Sequence, residues 1–184
     1  MDIRHGRTGY IVGAALAALA ALAPLDVAAS QAAKLDDPTI IAIFDAANTW
    51  DIETGALAVT KGTTKEVRDF GAMLERDHSA VRQQGRDLVK KLGVHPTPPA
   101  DFAMANDHAA AMKSLRSKSG KAFDRAFLEH EVAIHKAVLD AMTTTLLPAL
   151  ENEEARALVT KVAPAFQAHM AGAQNLLDKQ VASR

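Results

Sequence analysis

The sequence predicts an all-α protein, an antiparallel four-helix bundle. Hydrophobic residues make up 48% of the chain but aromatic residues only 4%, and Ala, Leu and Val supply most of the apolar content. This balance favours helices over a β-sandwich. Apolar residues also recur every three to four positions in four long segments, which Gly and Pro separate. At 184 residues, the chain has the length of one domain.

Charge and residue types exclude several classes of function. Lys and Arg (21) nearly cancel Asp and Glu (22), and the charges are interspersed, so nothing in the sequence suggests a basic patch for nucleic acid. Cysteine is absent, which excludes disulfides, thiolate metal sites and iron–sulfur clusters. Neither Gly-x-Ser-x-Gly nor Ser-x-x-Lys occurs, so no nucleophile motif supports an enzyme. Any metal ion would need ligands from His, carboxylates or Met.

Residues 1–29 have the pattern of a signal peptide. Arg4 and Arg7 give a positive start, and an uncharged run rich in Ala and Leu follows over residues 10–23. The run is too short to span a bilayer. We expect a periplasmic or secreted protein with no stable membrane insertion after cleavage, and one domain over residues 30–184. A retained N-terminal anchor is the alternative.

The first two helices have recognisable start and stop patterns. Asp36 followed by Asp-Pro predicts the start of the first helix, and Gly62 its end. Thr63 with Glu66 three residues later is a capping-box pattern that opens the second helix, and Gly93 ends that helix. Because the connection between them is short, these helices should pack antiparallel.

A long connection follows the second helix. It carries three prolines and then a short helix rich in Ala and Met, over about residues 101–115. The third long helix is predicted over about residues 121–147, and Pro148 introduces the fourth. Two short connections around one long crossover is the ferritin-like arrangement of the four-helix bundle.

Each long segment is placed on a helical wheel with a rotation of about 100° per residue. On all four helices, polar side chains fall within the apolar stripe. They lie near the middle of their helices, so an antiparallel bundle would bring them into one layer. Glu53, Glu75 and His130 point away from it. The candidate metal ligands are Asp51, His78, Glu131, His135 and His169, with Asp77 beside them.

The chemistry of this layer leaves three alternatives open. Charged groups in an apolar interior are normally paired, hydrogen-bonded or bound to metal. Two carboxylates and three imidazoles offer enough ligands for one transition metal ion, such as Fe, Zn, Cu or Mn. A layer of buried pairs that only sets helix register is the second alternative, and an acid–base site without metal is the third. His95 and His108 lie in the long connection and are predicted to be solvated.

Four segments carry a resemblance to a known family. They are Asp-Ile-Glu-Thr-Gly-Ala-Leu-Ala from Asp51, Val-Arg-Asp-Phe-Gly-Ala-Met-Leu-Glu-Arg-Asp-His ending at His78, Phe-Asp-Arg-Ala-Phe from Phe123, and Pro-Ala-Phe-Gln-Ala-His ending at His169. In their order and spacing they resemble bacterial exported domains of unknown function. The resemblance implies a ferritin-like fold and an extracytoplasmic location, and it brings no established activity.

The residues do not match a ferritin-like di-iron centre, which uses two Glu-x-x-His motifs. Glu131 and His135 are spaced one residue too widely, and His169 has no Glu three residues before it. A mononuclear site rich in His, or an incomplete dinuclear one, fits better. The first functional hypothesis is therefore an exported metal-binding protein for storage, trafficking or stress protection. The second is a structural or interaction bundle of the cell envelope.

Overall fold

All regular structure in the described residues is helical, which confirms the all-α prediction. The computed structural model describes residues 35–99 and 102–182, so the predicted signal segment, residues 1–29, lies outside the described residues. The helices are α1 (Asp37–Lys61), α2 (Lys65–Leu92), α3 (Ala103–Ser117), α4 (Gly120–Ala141), α5 (Leu147–Ala149) and α6 (Glu153–Ala182). None of the described helices has the length and hydropathy needed to cross a bilayer.

The predicted capping box at the start of α2 is wrong. Thr64, rather than Thr63, caps the helix, and its hydroxyl accepts the Val67 N–H at 3.2 Å. Thr63 instead donates its backbone N–H to Oδ1 of Asp124 on α4 at 2.9 Å, and its hydroxyl donates to Oδ2. Since the buried Asp124 carboxylate needs hydrogen-bond donors, it holds Thr63 outside the helix and ties the α1–α2 turn to α4.

The third long helix also ends earlier than predicted. α4 stops at Ala141, and a π-helical turn, Met142–Leu146, joins it to α5. Two causes act together here. The hydroxyl of Thr144 donates to the Asp140 carbonyl at 2.7 Å and competes with the backbone ladder. Pro148 lacks an N–H, and its ring crowds the carbonyl four residues earlier, so a wider turn is favoured.

The long helices pack pairwise and in opposite directions. α1 contacts α2 and α4, and α6 contacts the same two helices. Gly55 of α1 lies against Gly71 of α2, and Phe44 lies against Gly85, so α1 and α2 run antiparallel. On the other side, Lys91 near the end of α2 pairs with Glu154 at the start of α6. α2 and α6 are therefore antiparallel as well.

A polar layer separates two apolar clusters in the interior. One cluster contains Ile40, Phe44, Val81, Val138, Met142 and Phe166 among its buried members. The other contains Ala58, Phe70, Leu74, Phe127, Leu128 and Ala173. Between them, along the long helices, lie the buried polar residues Asn48, Asp51, Thr54, His78, Glu131, His135 and His169. The shared layer that mid-helix positions predicted is thus present in the fold.

Candidate metal centre

The five predicted ligands converge in two overlapping groups. One nitrogen from each of His78, His135 and His169 lies within 4.8 Å of the others. Asp51, Glu131 and His135 form a second group within the same limit. All five side chains are buried. His135 belongs to both groups, so the two carboxylates and three imidazoles form one continuous site.

His78 is oriented by an asparagine on the neighbouring helix. Its Nδ1 lies 3.0 Å from Oδ1 of Asn48, and the Asn48 amide donates from Nδ2 to the Phe44 carbonyl at 2.8 Å. Because an amide oxygen only accepts, Nδ1 of His78 must carry the proton. Oδ2 of Asp51, 3.4 Å from the same nitrogen, is a second acceptor on that side. The other ring nitrogen, Nε2, therefore presents a lone pair.

The unprotonated nitrogen of His169 faces the unprotonated nitrogen of His78. Nε2 of His169 lies 3.2 Å from Oδ2 of Asp77, and its Nδ1 lies 3.2 Å from Nε2 of His78. A carboxylate oxygen only accepts, so Nε2 of His169 carries the proton and Nδ1 does not. In the neutral rings, two lone pairs then meet at 3.2 Å with no proton between them.

His135 completes the arrangement. Its Nδ1 donates to the backbone carbonyl of Glu131 at 2.9 Å, which leaves Nε2 as a lone pair. That Nε2 is buried and has no hydrogen-bond partner among the described residues. The buried Glu131 carboxyl has only weak contacts: its Oε2 lies 3.5 Å from Nδ1 of His135, and hydrogen bonding from the Thr54 side chain opposes the rise of its pKa. Buried polar atoms in folded proteins are normally satisfied. Nε2 of His135 is therefore a buried acceptor without a donor, and the Glu131 carboxyl is only weakly satisfied.

Burial shifts the ionisation of every candidate ligand toward its neutral form. It raises the pKa of Asp51 well above the ordinary range, with Glu131 adding to the effect, and it raises the pKa of Glu131. Burial also lowers the pKa of His78 to about 2 and that of His135 to about 4, helped by the neighbouring imidazoles. The pKa of His169 is lowered by burial too, against the opposing effect of Asp77. The imidazoles are therefore unprotonated at neutral pH.

The donor set fits a transition metal ion in its chemistry and spacing. Two nitrogens bound at 2.0–2.1 Å to one tetrahedral ion lie about 3.3 Å apart, close to the 3.2 Å between Nδ1 of His169 and Nε2 of His78. The second nitrogen of each imidazole is held by an oxygen acceptor, which is the usual arrangement around ligating histidines. Two carboxylates with three neutral imidazoles carry a charge of −2, which a divalent ion balances.

Several polar residues outside the centre have other partners. Glu53 is exposed and accepts from Nε2 of His108 at 2.8 Å. The prediction that His108 is solvated is wrong, because its ring stacks on Trp50 with 5.3 Å between centroids. Asn48, which the sequence reasoning missed, lies one turn before Asp51 on the buried stripe of α1. This position could have identified it. Asp77 lies beside the ligands, as predicted.

Comparison with known proteins gives one match. The profile of a family described as a domain of unknown function, DUF4142, matches residues 22–176, a span that contains all five candidate ligands. No curated protein and no solved structure matches the chain. The family match covers most of the sequence, so the chain belongs to the DUF4142 family.

Proposed function

We propose that this chain is an exported protein that binds one divalent transition metal ion in its buried polar layer. The observation that carries the proposal is the set of lone pairs on His78, His135 and His169. In each ring, an oxygen acceptor holds the proton of the outer nitrogen, and the inner nitrogen faces the same region. Lone pairs in such an arrangement repel one another, and a cation between them turns the repulsion into bonding.

The carboxylates support a divalent ion. Asp51 and Glu131 are buried, and the Glu131 carboxyl has only weak hydrogen-bond contacts among the described residues. Without a cation, such groups are stable only when protonated. An ion of charge +2 would let both ionise in an electrically neutral site. Nitrogen and oxygen ligands suit Fe, Zn, Cu and Mn.

The packing supports a ferritin-like bundle as the scaffold for this site. α1 is antiparallel to α2, and the contact of Thr63 with Asp124 places the end of α1 against the start of α4. α2 and α4 then run in the same direction, and the segment between them must return along the bundle. α3, Ala103–Ser117, lies in that segment. This is the crossover connection of ferritin-like folds.

The metal-binding proposal is tested by elemental analysis. The purified protein, loaded anaerobically with Fe, Zn, Cu or Mn, should retain about one ion per chain after desalting. A double variant, His78→Ala with His169→Ala, should retain none, while His95→Ala, which alters an exposed histidine of the long connection, should bind like the parent. Glu131→Gln keeps the side-chain size and should weaken binding without unfolding the protein. A parent that retains no metal would end the proposal.

The proposal also includes export of the protein and a biological role for the bound metal. Residues 1–29 support export, and storage, trafficking or protection from metal stress would suit a buried site without a nucleophile motif. Cell fractionation with N-terminal sequencing of the mature chain tests the location. We expect extracytoplasmic protein that begins near residue 30. Intact cytoplasmic chain would contradict this part alone.

A structural role for the polar layer is the second candidate function. It is favoured by one observation, that Asn48 and Asp77 already pair with His78 and His169. Under this reading the bundle serves as an interaction protein of the cell envelope, and its polar layer sets helix register. The weakly satisfied carboxyl of Glu131 weighs against it, since a purely structural layer would gain by satisfying that group fully.

A further inference from the structure

The candidate metal centre approaches solvent on one side among the described residues. The side chains of His78, His135, Asp51 and Glu131 are each 4% exposed or less. His169 is slightly more open, and its Nε2 lies 3.2 Å from Oδ2 of Asp77. The Asp77 side chain is 33% exposed. The Asp77 carboxylate therefore contacts both one candidate ligand, His169, and the surface.

An apolar cavity lies on another side of the centre. A cavity of about 190 Å³ between α1 and α4 reaches Phe166, whose ring packs against His78 with 4.9 Å between centroids. Its lining is hydrophobic apart from Thr145. A hydrated divalent cation would lose water ligands there and gain almost no oxygen or nitrogen in return. The cavity is therefore a poor route for an ion.

We propose that the metal ion enters and leaves the site past Asp77 and His169, with the Asp77 carboxylate as its first protein ligand. This inference rests on the proposed metal-binding function and adds the route to it. A partly exposed carboxylate attracts a cation from solution. The same carboxylate contacts the His169 ring, so an ion held by Asp77 lies beside the nearest of the three imidazoles.

Arg76 makes the route testable because it opposes the role of Asp77. Nε and one terminal nitrogen of Arg76 both lie 2.8 Å from Oδ1 of Asp77, which leaves Oδ2 for His169. The guanidinium thus places a positive charge at the proposed entrance, where it repels an arriving cation. Removing Asp77 should slow metal capture, whereas removing Arg76 should accelerate it.

A structural clamp would behave differently. If the Arg76–Asp77 pair only held α2 and the His169 ring in place, either substitution would break the pair. Both variants would then change metal binding in the same direction. The sign of the Arg76 effect consequently separates an entrance from a clamp.

The test is stopped-flow mixing of the full-length apo-protein with Co²⁺, followed by the absorption of the bound ion. Asp77→Asn should associate at least about tenfold more slowly than the parent, and Arg76→Gln faster than the parent. Glu75→Gln is the matched control, because it removes one negative charge from an exposed position of the same helix and should stay close to the parent. Circular dichroism and urea unfolding confirm that each variant is folded.

The outcomes separate this inference from the function on which it rests. Equal association rates for Asp77→Asn and Glu75→Gln would overturn the route while leaving the metal site intact. Slower association in both Asp77→Asn and Arg76→Gln would identify a clamp and overturn it as well. A parent that binds neither Co²⁺ nor the ions used for loading would remove the metal-binding function itself.

Discussion

At the scale of single residues, the centre is organised by which nitrogen of each imidazole keeps its proton. Asn48, Asp77 and the backbone carbonyl of Glu131 each accept one ring N–H. Because of these three contacts, the unprotonated nitrogens that face inward are Nε2 of His78, Nδ1 of His169 and Nε2 of His135. The hydrogen-bond partners of the candidate ligands therefore determine the geometry of the site as much as the candidate ligands do.

Asn48 provides the sharpest test of this organisation. Asn48→Ala leaves Nδ1–H of His78 without its amide acceptor, so metal affinity should fall roughly 10–100-fold. Competition with a chromophoric chelator measures the change. Thr60→Ala is the control on the same helix, because the Thr60 hydroxyl is exposed and bonds only to the Ala56 carbonyl among the described contacts. Equal affinities for the parent and Asn48→Ala would contradict the role of Asn48.

The pH dependence of metal affinity should follow the ionisation of the buried carboxyl groups. Burial raises the pKa of Glu131 to about 8 and lowers that of His135 to about 4, so at neutral pH the carboxyl holds a proton and the imidazole does not. Metal binding must then displace protons from the carboxyl groups. Affinity should rise with pH through neutrality as the Glu131 and Asp51 carboxyl groups ionise.

Calorimetry in buffers of different ionisation enthalpy measures the protons released. The parent should release protons at pH 7, and Glu131→Gln should release fewer because one titrating group is gone. Affinity that levels off near the ordinary histidine pKa of about 6.5 would instead assign the protons to imidazoles.

Helical periodicity in the sequence was sufficient to predict that the candidate ligands are buried. It was not sufficient to predict their hydrogen bonds. Asp51 and His78 lie in the apolar stripes of α1 and α2, and periodicity alone reveals that. The contact of Asn48 with His78 depends on the axial register between two helices, which periodicity does not specify. The tautomer of each ring was therefore out of reach from the sequence.

At the scale of the helices, the close approach of α1 to α2 brings two of the candidate ligands together. A Cβ placed on either Gly55 or Gly71 would lie 2.6 Å from the other residue's carbonyl oxygen. Only glycine permits this separation of the two backbones. Asp51 is one turn from Gly55 and His78 two turns from Gly71, so the crossing sets how near these two side chains come.

Gly71→Ala should separate the two helices. Alanine favours a helix over glycine by about 1 kcal/mol, but the clash with the Gly55 carbonyl should cost about 1–3 kcal/mol. We expect a net loss of stability in urea unfolding, together with weaker metal binding. Gly85→Ala is the control on the same helix, since its Cβ would meet the Phe44 ring at an ordinary 3.4 Å. A Gly71→Ala variant as stable as Gly85→Ala would contradict the constraint.

Helix boundaries set by local chemistry could be predicted from the sequence, and those set by tertiary contacts could not. Asp36 accepts the Thr39 N–H at 2.9 Å at the start of α1, and Gly93 ends α2 with φ of 65°. Both follow from neighbouring residues. Thr63 departs from its predicted role because Asp124, 61 residues away, recruits it. No local pattern contains that information.

At the scale of the whole molecule, the buried polar layer is unfavourable for folding. It separates two apolar clusters, and it buries two carboxyl groups whose pKa values burial raises. Keeping these groups in the interior costs free energy that the clusters on either side must offset. An ion bound only by the folded chain would recover part of this cost and would link stability to metal concentration.

Thermal unfolding should therefore depend on metal in the parent. A free ion concentration 100 times Kd adds about 2.7 kcal/mol to the free energy of unfolding, which for a chain of this size raises Tm by about 5–10 °C. Scanning calorimetry with chelator and with added metal measures the shift. The double variant His78→Ala with His169→Ala should show no metal-dependent shift, because it lacks two of the three imidazole ligands. An equal shift in parent and double variant would mean that the stabilising ion binds outside the polar layer, since loss of those imidazoles would then leave its site unchanged.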